Sequence, residues 1–192
     1  YADLIFSSLT KSFAGRGDVM AGSLLVSPAS QWSQQLLAAV SPAANLADAD
    51  AIALEEASRD VLERVPLLDA NTLFLADRLE QHPAVARVLH PKDCPNFRAL
   101  MRPGAGHGCL LSFELKTGET TTRHVYDALR VSKGPSLGTR FTLACPYTQL
   151  AHYDELNWAA DHDVPAHLLR VSVGLEEPEE LWNRFAQALE SG

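Results

Sequence analysis

The sequence predicts an α/β fold, and three features of its hydrophobic pattern indicate this class. Short continuous apolar runs at residues 4–6 and 24–26 are typical of strands that are buried on both faces of a sheet. Apolar residues then recur at helical spacing, as at Trp32, Leu36 and Val40. Further along the chain, predicted strands alternate with predicted helices, which is the arrangement of a sheet covered by helices.

The first half of the chain, after the second apolar run, is predicted to be mostly helical. A helical pattern covers residues 46–65, and a second one covers residues 71–81. Pro66 lies between them and is expected to interrupt the helix, because proline lacks the N–H that a helix interior needs. We therefore expect a domain boundary near Pro66, which divides the chain into residues 1–66 and 67–192.

The second half is predicted to contain two clear strands and two clear helices. Residues 110–115 and 168–175 have strand patterns, and residues 120–129 have a helical pattern between them. Pro178 stands near the start of the last helix, where a missing N–H costs nothing. The apolar side chains of that helix, spaced four apart, are Leu181, Phe185 and Leu189.

Composition argues against two classes of partner. The formal net charge is −8, and no cluster of Lys and Arg suggests binding to a nucleic-acid backbone. The sequence has no apolar run approaching the roughly 20 residues that a membrane helix needs. The chain starts at Tyr1, without Met or a signal peptide and directly before an apolar strand, so we expect it to be a fragment of a longer protein.

The cysteines and histidines do not form a recognisable metal or disulfide pattern. There are three cysteines, at positions 94, 109 and 145, and none belongs to a C-x-x-C pair. An odd number of widely spaced cysteines favours a reducing compartment, so we expect a cytoplasmic protein with no metal site. Cys109 and Cys145 are predicted to be small core residues.

The stretch from Ser7 to Lys11 is the most informative for chemistry. The hydroxyls of Ser8 and Thr10 alternate directly after a predicted strand, Lys11 follows at once, and glycines come next. Such a loop can offer hydrogen-bond donors to a phosphate and one amine close to it. Pyridoxal 5′-phosphate (PLP) needs this combination, since it carries a phosphate and forms a Schiff base with a lysine. On spacing alone, this signal is weak, and the pattern favours a solvated lysine beside a turn.

This stretch resembles the cofactor-lysine motif of the Cys/Met-metabolism PLP enzymes, the cystathionine γ-synthase family. The family pattern is S-x-T-K followed by an aromatic residue, then G-H-S-D and a glycine. Here Ser8-Leu9-Thr10-Lys11 matches, whereas Ser12 replaces the aromatic residue and Gly15-Arg16-Gly17-Asp18 replaces G-H-S-D. These departures resemble the fungal branch. The resemblance implies that Lys11 is the catalytic, cofactor-binding lysine and that Ser8 and Thr10 donate to the PLP phosphate.

Further motifs of the family follow in the same order along nearly the whole chain. Residues 71–91 resemble the helix between its domains, and residues 103–108 with the strand after them resemble its glycine turn. The glycines of that turn precede a strand, so they cannot be a dinucleotide fingerprint, which must open a helix. Residues 136–138 match its S-L-G motif, and residues 170–176 match its R-l-S-v-G-l-E strand.

Arg170 and Ser136 are the candidate substrate-binding residues. In the predicted strand, Leu169 and Val171 share one face while Arg170 and Ser172 share the other. From the residues alone, Arg170 is either a solvated side chain or a two-pronged carboxylate ligand, and Ser136 belongs to an ordinary turn. The resemblance implies that Arg170 binds the α-carboxylate of the amino-acid substrate and that Ser136 lies near the lysine and the substrate.

The resemblance also implies the fold, the reaction and the partners. The fold would be the PLP-dependent transferase fold of the aspartate-aminotransferase type, with residues 1–66 ending the large cofactor domain and residues 67–192 forming the small domain. The full-length protein would join L-cysteine to an O-acyl-L-homoserine and give cystathionine, as a homotetramer or homodimer. A γ- or β-lyase, a sulfhydrylase of the same family, and a non-catalytic remnant that packs against partner chains are the alternatives.

In the family, several cofactor ligands precede the lysine and are missing from these 192 residues. They are the aspartate at the pyridine nitrogen, the stacking aromatic ring and most of the phosphate loop. The chain on its own is therefore expected to bind PLP poorly and to be inactive.

Overall fold

Strands and helices occur together in the two units of the chain, which confirms the predicted α/β fold class. The computed structural model describes residues 2–40 and 45–192. The first unit runs to Val61, and the second comprises Leu62–Gly192. The domain boundary expected at Pro66 stays a prediction.

The first unit is built on a hairpin whose connecting loop is covered by a helix. Strand β1 (Leu4–Ser8) pairs antiparallel with β2 (Gly22–Val26). Helices α1 (Ser33–Ala39) and α2 (Asp48–Ser58) follow. Two residues of α2 pack on two residues of the loop between the strands, and this small buried cluster consists of Ala14, Val19, Leu54 and Ala57.

The expectation that both hairpin strands are buried on two faces is wrong for the described residues. Phe6 is 81% exposed, and Leu25 is 63% exposed. The reason is that β1 and β2, as far as the structure describes the unit, pair only with each other. An apolar run indicates that a strand is suited to burial. Whether the strand is buried depends on other segments that pack over its faces.

The expected break at Pro66 is also wrong. Helix α2 ends earlier, at Ser58, and α3 (Val61–Glu80) runs straight through Pro66. Proline fixes φ near the helical value and removes one N–H donor. Pro66 lies near the start of a 20-residue helix, so the bonds formed beyond it keep the helix continuous.

The second unit contains a five-stranded sheet in the order β3-β4-β7-β6-β5. Neighbouring strands are antiparallel except β5 and β6, which are parallel. The strands are β3 (Val85–Leu89), β4 (Leu110–Leu115), β5 (Ser132–Lys133), β6 (Leu143–Pro146) and β7 (Leu169–Ser172). The pattern at residues 110–115 predicted β4 correctly, whereas β3, β5 and β6 had not been predicted.

The helices of the second unit complete its core. Besides α3 they are α4 (Pro95–Leu100), α5 (Glu119–Ala128), α6 (Tyr147–Ala151), α7 (Leu156–Asp161) and α8 (Pro178–Glu190). The three predicted apolar positions of α8 are all buried, which confirms the assignment of its inner face. Cys109 and Cys145 are buried as well, as predicted. No helix among the described residues has the length and apolarity that crossing a bilayer requires.

The strand predicted at residues 168–175 is shorter in the structure. Regular pairing in β7 ends at Ser172, and the next residues bond to loops instead. The Val173 amide donates to the Cys109 carbonyl at 2.8 Å, and the Leu175 amide donates to the Arg140 carbonyl at 2.7 Å. The strand is therefore continued by an extended segment that is tied to two connecting loops.

We expect Phe185→Ala to destabilise the second unit strongly. Phe185 is fully buried in the core, and its ring lies edge-on to that of Phe113 at a centroid distance of 6.3 Å. Removing a buried aromatic ring leaves a cavity that costs about 3–5 kcal/mol. Chemical denaturation should show this loss in the free energy of unfolding. Asn183→Ala, at an exposed position of the same helix, should change it by less than about 0.5 kcal/mol; equal effects would place Phe185 outside the core.

Candidate functional site

The three candidate residues of the first unit lie at the start of the hairpin loop. Ser8 is the last residue of β1 and is exposed, and Thr10 and Lys11 follow in the first turn, where they are half-buried. The turn is closed by the Gly15 amide, which donates to the Lys11 carbonyl at 2.8 Å. Gly15 has a φ of 70°, a conformation that favours glycine and lets the loop fold back beneath α2.

Thr10 has a structural task in this loop. Its Oγ1 accepts a hydrogen bond from the Ala21 amide at 2.9 Å and lies 3.4 Å from the Ala21 carbonyl oxygen. These contacts join the two ends of the loop. The second contact is long, so a phosphate oxygen could compete for the hydroxyl proton.

The donor set of this loop fits the part of PLP that the motif assigns to it. Residues 8–11 supply one primary amine and two hydroxyl groups, and two side chains of α2 pack on the loop that follows. An amine suits an aldehyde carbon, and hydroxyls suit a phosphate. Lys11, Ser8 and Thr10 are therefore placed together, and their roles toward the cofactor stay predictions.

The candidate substrate residues of the second unit meet at the middle of β7. The Arg170 guanidinium donates from Nη2 to the carbonyl oxygen of Pro135, and the Ser136 carbonyl lies 3.4 Å from the same nitrogen. The Tyr147 ring lies against the guanidinium, with 5.1 Å between the ring centroid and the Arg170 Cζ. The structure thus brings Arg170 and Ser136 together, through the backbone of Ser136, and adds Tyr147 to the group.

Cys145 lies beside Arg170 on the neighbouring strand. The two residues are direct partners in the β6–β7 ladder, so their side chains share one face of the sheet. Burial raises the pKa of the Cys145 thiol, and the charge and hydrogen bond of Arg170 partly offset that effect. A thiol that stays protonated is a poor nucleophile, so we assign Cys145 a packing role.

Ser172, two residues after Arg170, fastens the loop that contains Ser136. Its Oγ accepts a hydrogen bond from the Gly138 amide at 2.8 Å, and Ser172 is only 1% exposed. Arg170 and Ser172 therefore bind successive parts of residues 135–138, and they do so from alternate positions on the same strand face. The S-L-G motif at residues 136–138 and the motif at residues 170–176 therefore contact each other directly.

The rest of the β7 motif clamps the segment that follows this loop. A Cβ on Gly174 would lie 2.5 Å from the backbone carbon of Phe141, so only glycine fits there. The Gly174 amide donates to Thr142 Oγ1 at 2.9 Å. The Glu176 carboxylate accepts from the Thr142 amide at 2.7 Å and from its hydroxyl at 2.8 Å.

The glycine turn at residues 103–108 wraps around a carboxylate of α3. Asp69 Oδ1 accepts hydrogen bonds from the amides of His107, at 2.5 Å, and Gly108, at 2.9 Å. A Cβ on Gly106 would lie 2.6 Å from the Asp69 carboxyl carbon. These backbone donors are occupied within the protein, which agrees with the rejection of a dinucleotide site.

A separate cavity of about 370 Å³ opens on the α5 side of the second unit. Leu169 contributes to its wall, and Leu169 points to the face of β7 opposite Arg170. The cavity is therefore distinct from the Arg170 group. Its lining residues are Glu119, Thr122, Arg123, Tyr126, Asp127, Pro146, Gln149, His167 and Leu169.

Two residues of the Arg170 group were missed by sequence reasoning. Ser172 had a signal, because it belongs to the same motif and the same strand face as Arg170. Tyr147 had none, because its position beside Arg170 depends on the pairing of β6 with β7. Over residues 2–40 and 45–192 there is no group of three or more His, Cys, Asp or Glu side chains that could hold a metal ion.

Comparison with known proteins decides the family. Residues 1–190 match the family model described as Cys/Met metabolism PLP-dependent enzyme. The chain belongs to this family. Its members use PLP, and the resemblance inferred from the motifs is confirmed.

Cystathionine γ-synthases are among the proteins to which the chain is similar. The chain is 41% identical over 196 aligned positions to a cystathionine γ-synthase of Neurospora crassa, and the match covers 98% of this chain and 31% of that protein. A solved cystathionine γ-synthase from Xanthomonas oryzae pv. oryzae, in complex with cystathionine, superposes with a TM-score of 0.85 at 27% identity, over 99% of this chain and 50% of the other.

A solved cystathionine γ-lyase from Micromonospora echinospora superposes equally well. Its TM-score is 0.86 at 26% identity, over 100% of this chain and 51% of the other. The chain thus spans about a third of the length of the Neurospora relative and about half of each solved structure. The PLP-dependent transferase fold is confirmed, whereas its reaction is a matter for proposal.

We expect Ser172→Ala to loosen the loop at residues 135–138. The change leaves the Gly138 amide without its acceptor in a buried place, which costs about 1–3 kcal/mol in the free energy of unfolding. Hydrogen exchange should also accelerate at the Gly138 amide. The matched control is Ser112→Ala, on the same sheet face but only half-buried on the neighbouring strand. If both variants keep wild-type stability and exchange, Ser172 does not fasten the loop.

Proposed function

We propose that the full-length protein is a PLP-dependent cystathionine γ-synthase. It would join L-cysteine to an O-acyl-L-homoserine, giving L-cystathionine and the free carboxylic acid. The observation that carries the proposal is the 41% identity to the Neurospora crassa synthase, which extends over 98% of this chain. The departures from the general motif at Ser12 and at residues 15–18, which resemble the fungal branch, support the same assignment.

Lys11 would carry the cofactor and then move protons. When bound, PLP withdraws electrons from the substrate carbon atoms and so makes their protons acidic. The Lys11 amine would accept a proton from one substrate carbon and return it to another. Lys11 lies in a loop that is hydrogen-bonded at Ala21 and packed against α2. These contacts restrict the movement of the backbone from which the amine extends.

Ser8 and Thr10 would bind the cofactor phosphate. Both hydroxyls follow β1 directly, and they stand two residues apart with Lys11 next to the second. Hydrogen bonds to a charged phosphate are stronger than those to a neutral carbonyl. The weak contact of the Thr10 hydroxyl with the Ala21 carbonyl, at 3.4 Å, would therefore yield to the phosphate.

Arg170 would bind the α-carboxylate of the amino-acid substrate, with Ser136 beside it. A guanidinium presents paired N–H donors that match the two oxygens of a carboxylate. The carbonyls of Pro135 and Ser136 accept hydrogen bonds from one nitrogen of the guanidinium. Because carbonyls are neutral, these bonds do not balance its positive charge. A carboxylate ligand would supply the missing negative charge.

A γ- or β-lyase or a sulfhydrylase of the same family is the second candidate. The TM-score of 0.86 to the Micromonospora echinospora lyase is the observation that favours a lyase. Assays of one full-length preparation separate these reactions. Cystathionine formed from cysteine indicates the synthase, homocysteine formed from sulfide indicates the sulfhydrylase, and breakdown of cystathionine indicates a lyase. A non-catalytic remnant would give no reaction and no yellow colour with PLP.

We further propose a cytoplasmic homotetramer or homodimer for the full-length protein. The scattered, unpaired cysteines at positions 94, 109 and 145 support a reducing compartment. The oligomeric state is proposed only by analogy with the family, and the mass of the purified full-length protein in solution tests it.

Lys11→Ala in the full-length protein should abolish turnover and leave the fold intact. No other side chain can then carry the cofactor at this loop, and the proton carrier is lost. The measurements are steady-state turnover and visible absorbance after addition of PLP, both of which should fall to background. Lys116→Ala, which changes an exposed lysine after β4, is the control. Full turnover in Lys11→Ala would remove Lys11 from the mechanism.

Arg170→Lys should weaken the use of amino-acid substrates. One ammonium group cannot reproduce a planar two-donor guanidinium, and a loss of about 2–4 kcal/mol in kcat/KM is expected for a desolvated charge pair. The control is Arg123→Lys, since the Arg123 side chain is 73% exposed and pairs with Glu119 on the surface of α5. Unchanged kcat/KM for both amino-acid substrates would contradict the carboxylate role.

A further inference from the structure

The ring of Tyr147 is a neighbour of Arg170 that the family motifs do not include. Tyr147 is the first residue of α6, directly after β6, and it is half-buried. Its ring centroid lies 5.1 Å from the Arg170 Cζ, which is within the range of a cation–π contact. The contact arises because β6 pairs with β7 and ends opposite the start of the Arg170 strand.

The other contacts of Arg170 are made with the edge of the guanidinium rather than with its face. The hydrogen bonds to Pro135 and Ser136 both start from Nη2. Cys145, on the adjacent strand, is also hydrogen-bonded to the Arg170 side chain. A contact that covers the face of the planar group adds a restraint on its orientation that these edge contacts do not supply.

Tyr147 is itself supported by a row of rings. The ring of His152 meets it edge-on at a centroid distance of 5.7 Å, and the Trp158 ring lies 6.2 Å beyond His152. His152 Nδ1 lies 2.6 Å from a carboxylate oxygen of Glu155, which fixes the imidazole. The segment from α6 to α7 therefore holds the Tyr147 ring in a defined place.

We propose that Tyr147 is a positioning residue for substrate binding, one that sets the orientation of the Arg170 guanidinium by stacking against it. The ring leaves the nitrogen-bearing edge of the guanidinium to meet the two oxygens of the amino-acid carboxylate. This inference rests on the proposed role of Arg170. The aromatic face carries the effect, so the phenolic hydroxyl is dispensable.

The test compares Tyr147→Leu with Tyr147→Phe in the full-length, PLP-loaded enzyme. Loss of the ring in Tyr147→Leu should raise the KM for both amino-acid substrates roughly five- to thirty-fold, with kcat within about two-fold of wild type. Tyr147→Phe keeps the ring, so its KM should stay within about two-fold of wild type. Thermal unfolding is recorded for each variant, and Tyr147→Met replaces Tyr147→Leu if the latter does not fold.

Tyr153→Leu is the matched control. Tyr153 is a 70% exposed tyrosine of the same segment, outside the row of rings that supports Tyr147. Its KM should stay near the wild-type value. If Tyr153→Leu raises KM as much as Tyr147→Leu does, the segment has a general structural role and the positioning role is refuted. Equal impairment of Tyr147→Phe and Tyr147→Leu would assign the effect to the hydroxyl and also overturn the inference.

Arg170→Lys, measured alongside, separates this inference from the proposed function. If Arg170→Lys is impaired and Tyr147→Leu is not, Tyr147 has no positioning role and the carboxylate site stands. If Arg170→Lys behaves as wild type, the carboxylate role of Arg170 fails, and the inference about Tyr147 fails with it. If both single variants are impaired, adding Tyr147→Leu to Arg170→Lys should raise KM by less than about two-fold, because the group that the ring positions is already gone.

Discussion

The alternation of side chains along β7 is the constraint on which the second unit depends. β7 lies between β4 and β6, so its backbone is paired on both edges. Leu169 and Val171 point into the core, where both are at most 1% exposed, while Arg170 and Ser172 point to the other face. A shift of one residue would place the arginine in the core and expose the leucine. The same pairing that builds the core therefore fixes where the guanidinium stands.

The motif at residues 170–176 contains residues that stabilise a neighbouring loop and one residue, Arg170, whose charge is available to a ligand under the proposed function. Ser172, Gly174 and Glu176 hold residues 138–142, each through a contact of its own: a buried hydroxyl, a close backbone approach and a carboxylate on Thr142. These three contacts are internal and leave no group to meet a ligand. Arg170 differs because its positive charge meets carbonyl oxygens and a ring rather than a carboxylate. Within the motif, Arg170 is thus the residue whose charge is not paired with a carboxylate in the described structure, whereas Ser172, Gly174 and Glu176 stabilise the neighbouring loop.

Local pattern predicted those parts of the fold whose signal lies within one element. Strand β4 and the inner face of α8 follow from spacing alone, since a period of two or of four residues needs no information about neighbours. The break at Pro66 was predicted from a local rule that a long helix overrides. The prediction that β1 is buried was wrong, because the burial of a strand depends on the elements that pack over it and not on its own sequence. Tyr147 could not be predicted from its own segment, because the β6–β7 register decides that it lies against Arg170.

The contacts of Arg170 depend on the planar shape of its guanidinium, which offers a flat face to a ring and N–H donors along its edge. The ring of Tyr147 lies against the flat guanidinium, and the loop carbonyls of Pro135 and Ser136 accept hydrogen bonds from its N–H groups. A lysine ammonium has neither a face nor a rim, and its single nitrogen cannot reach the loop, the ring and a ligand at once. The guanidinium can contact the loop carbonyls, the Cys145 thiol and the ring at once, and under the proposed function it would also bind a carboxylate. An arginine at position 170 is therefore required by the combination of partners, even though each partner alone would accept a lysine.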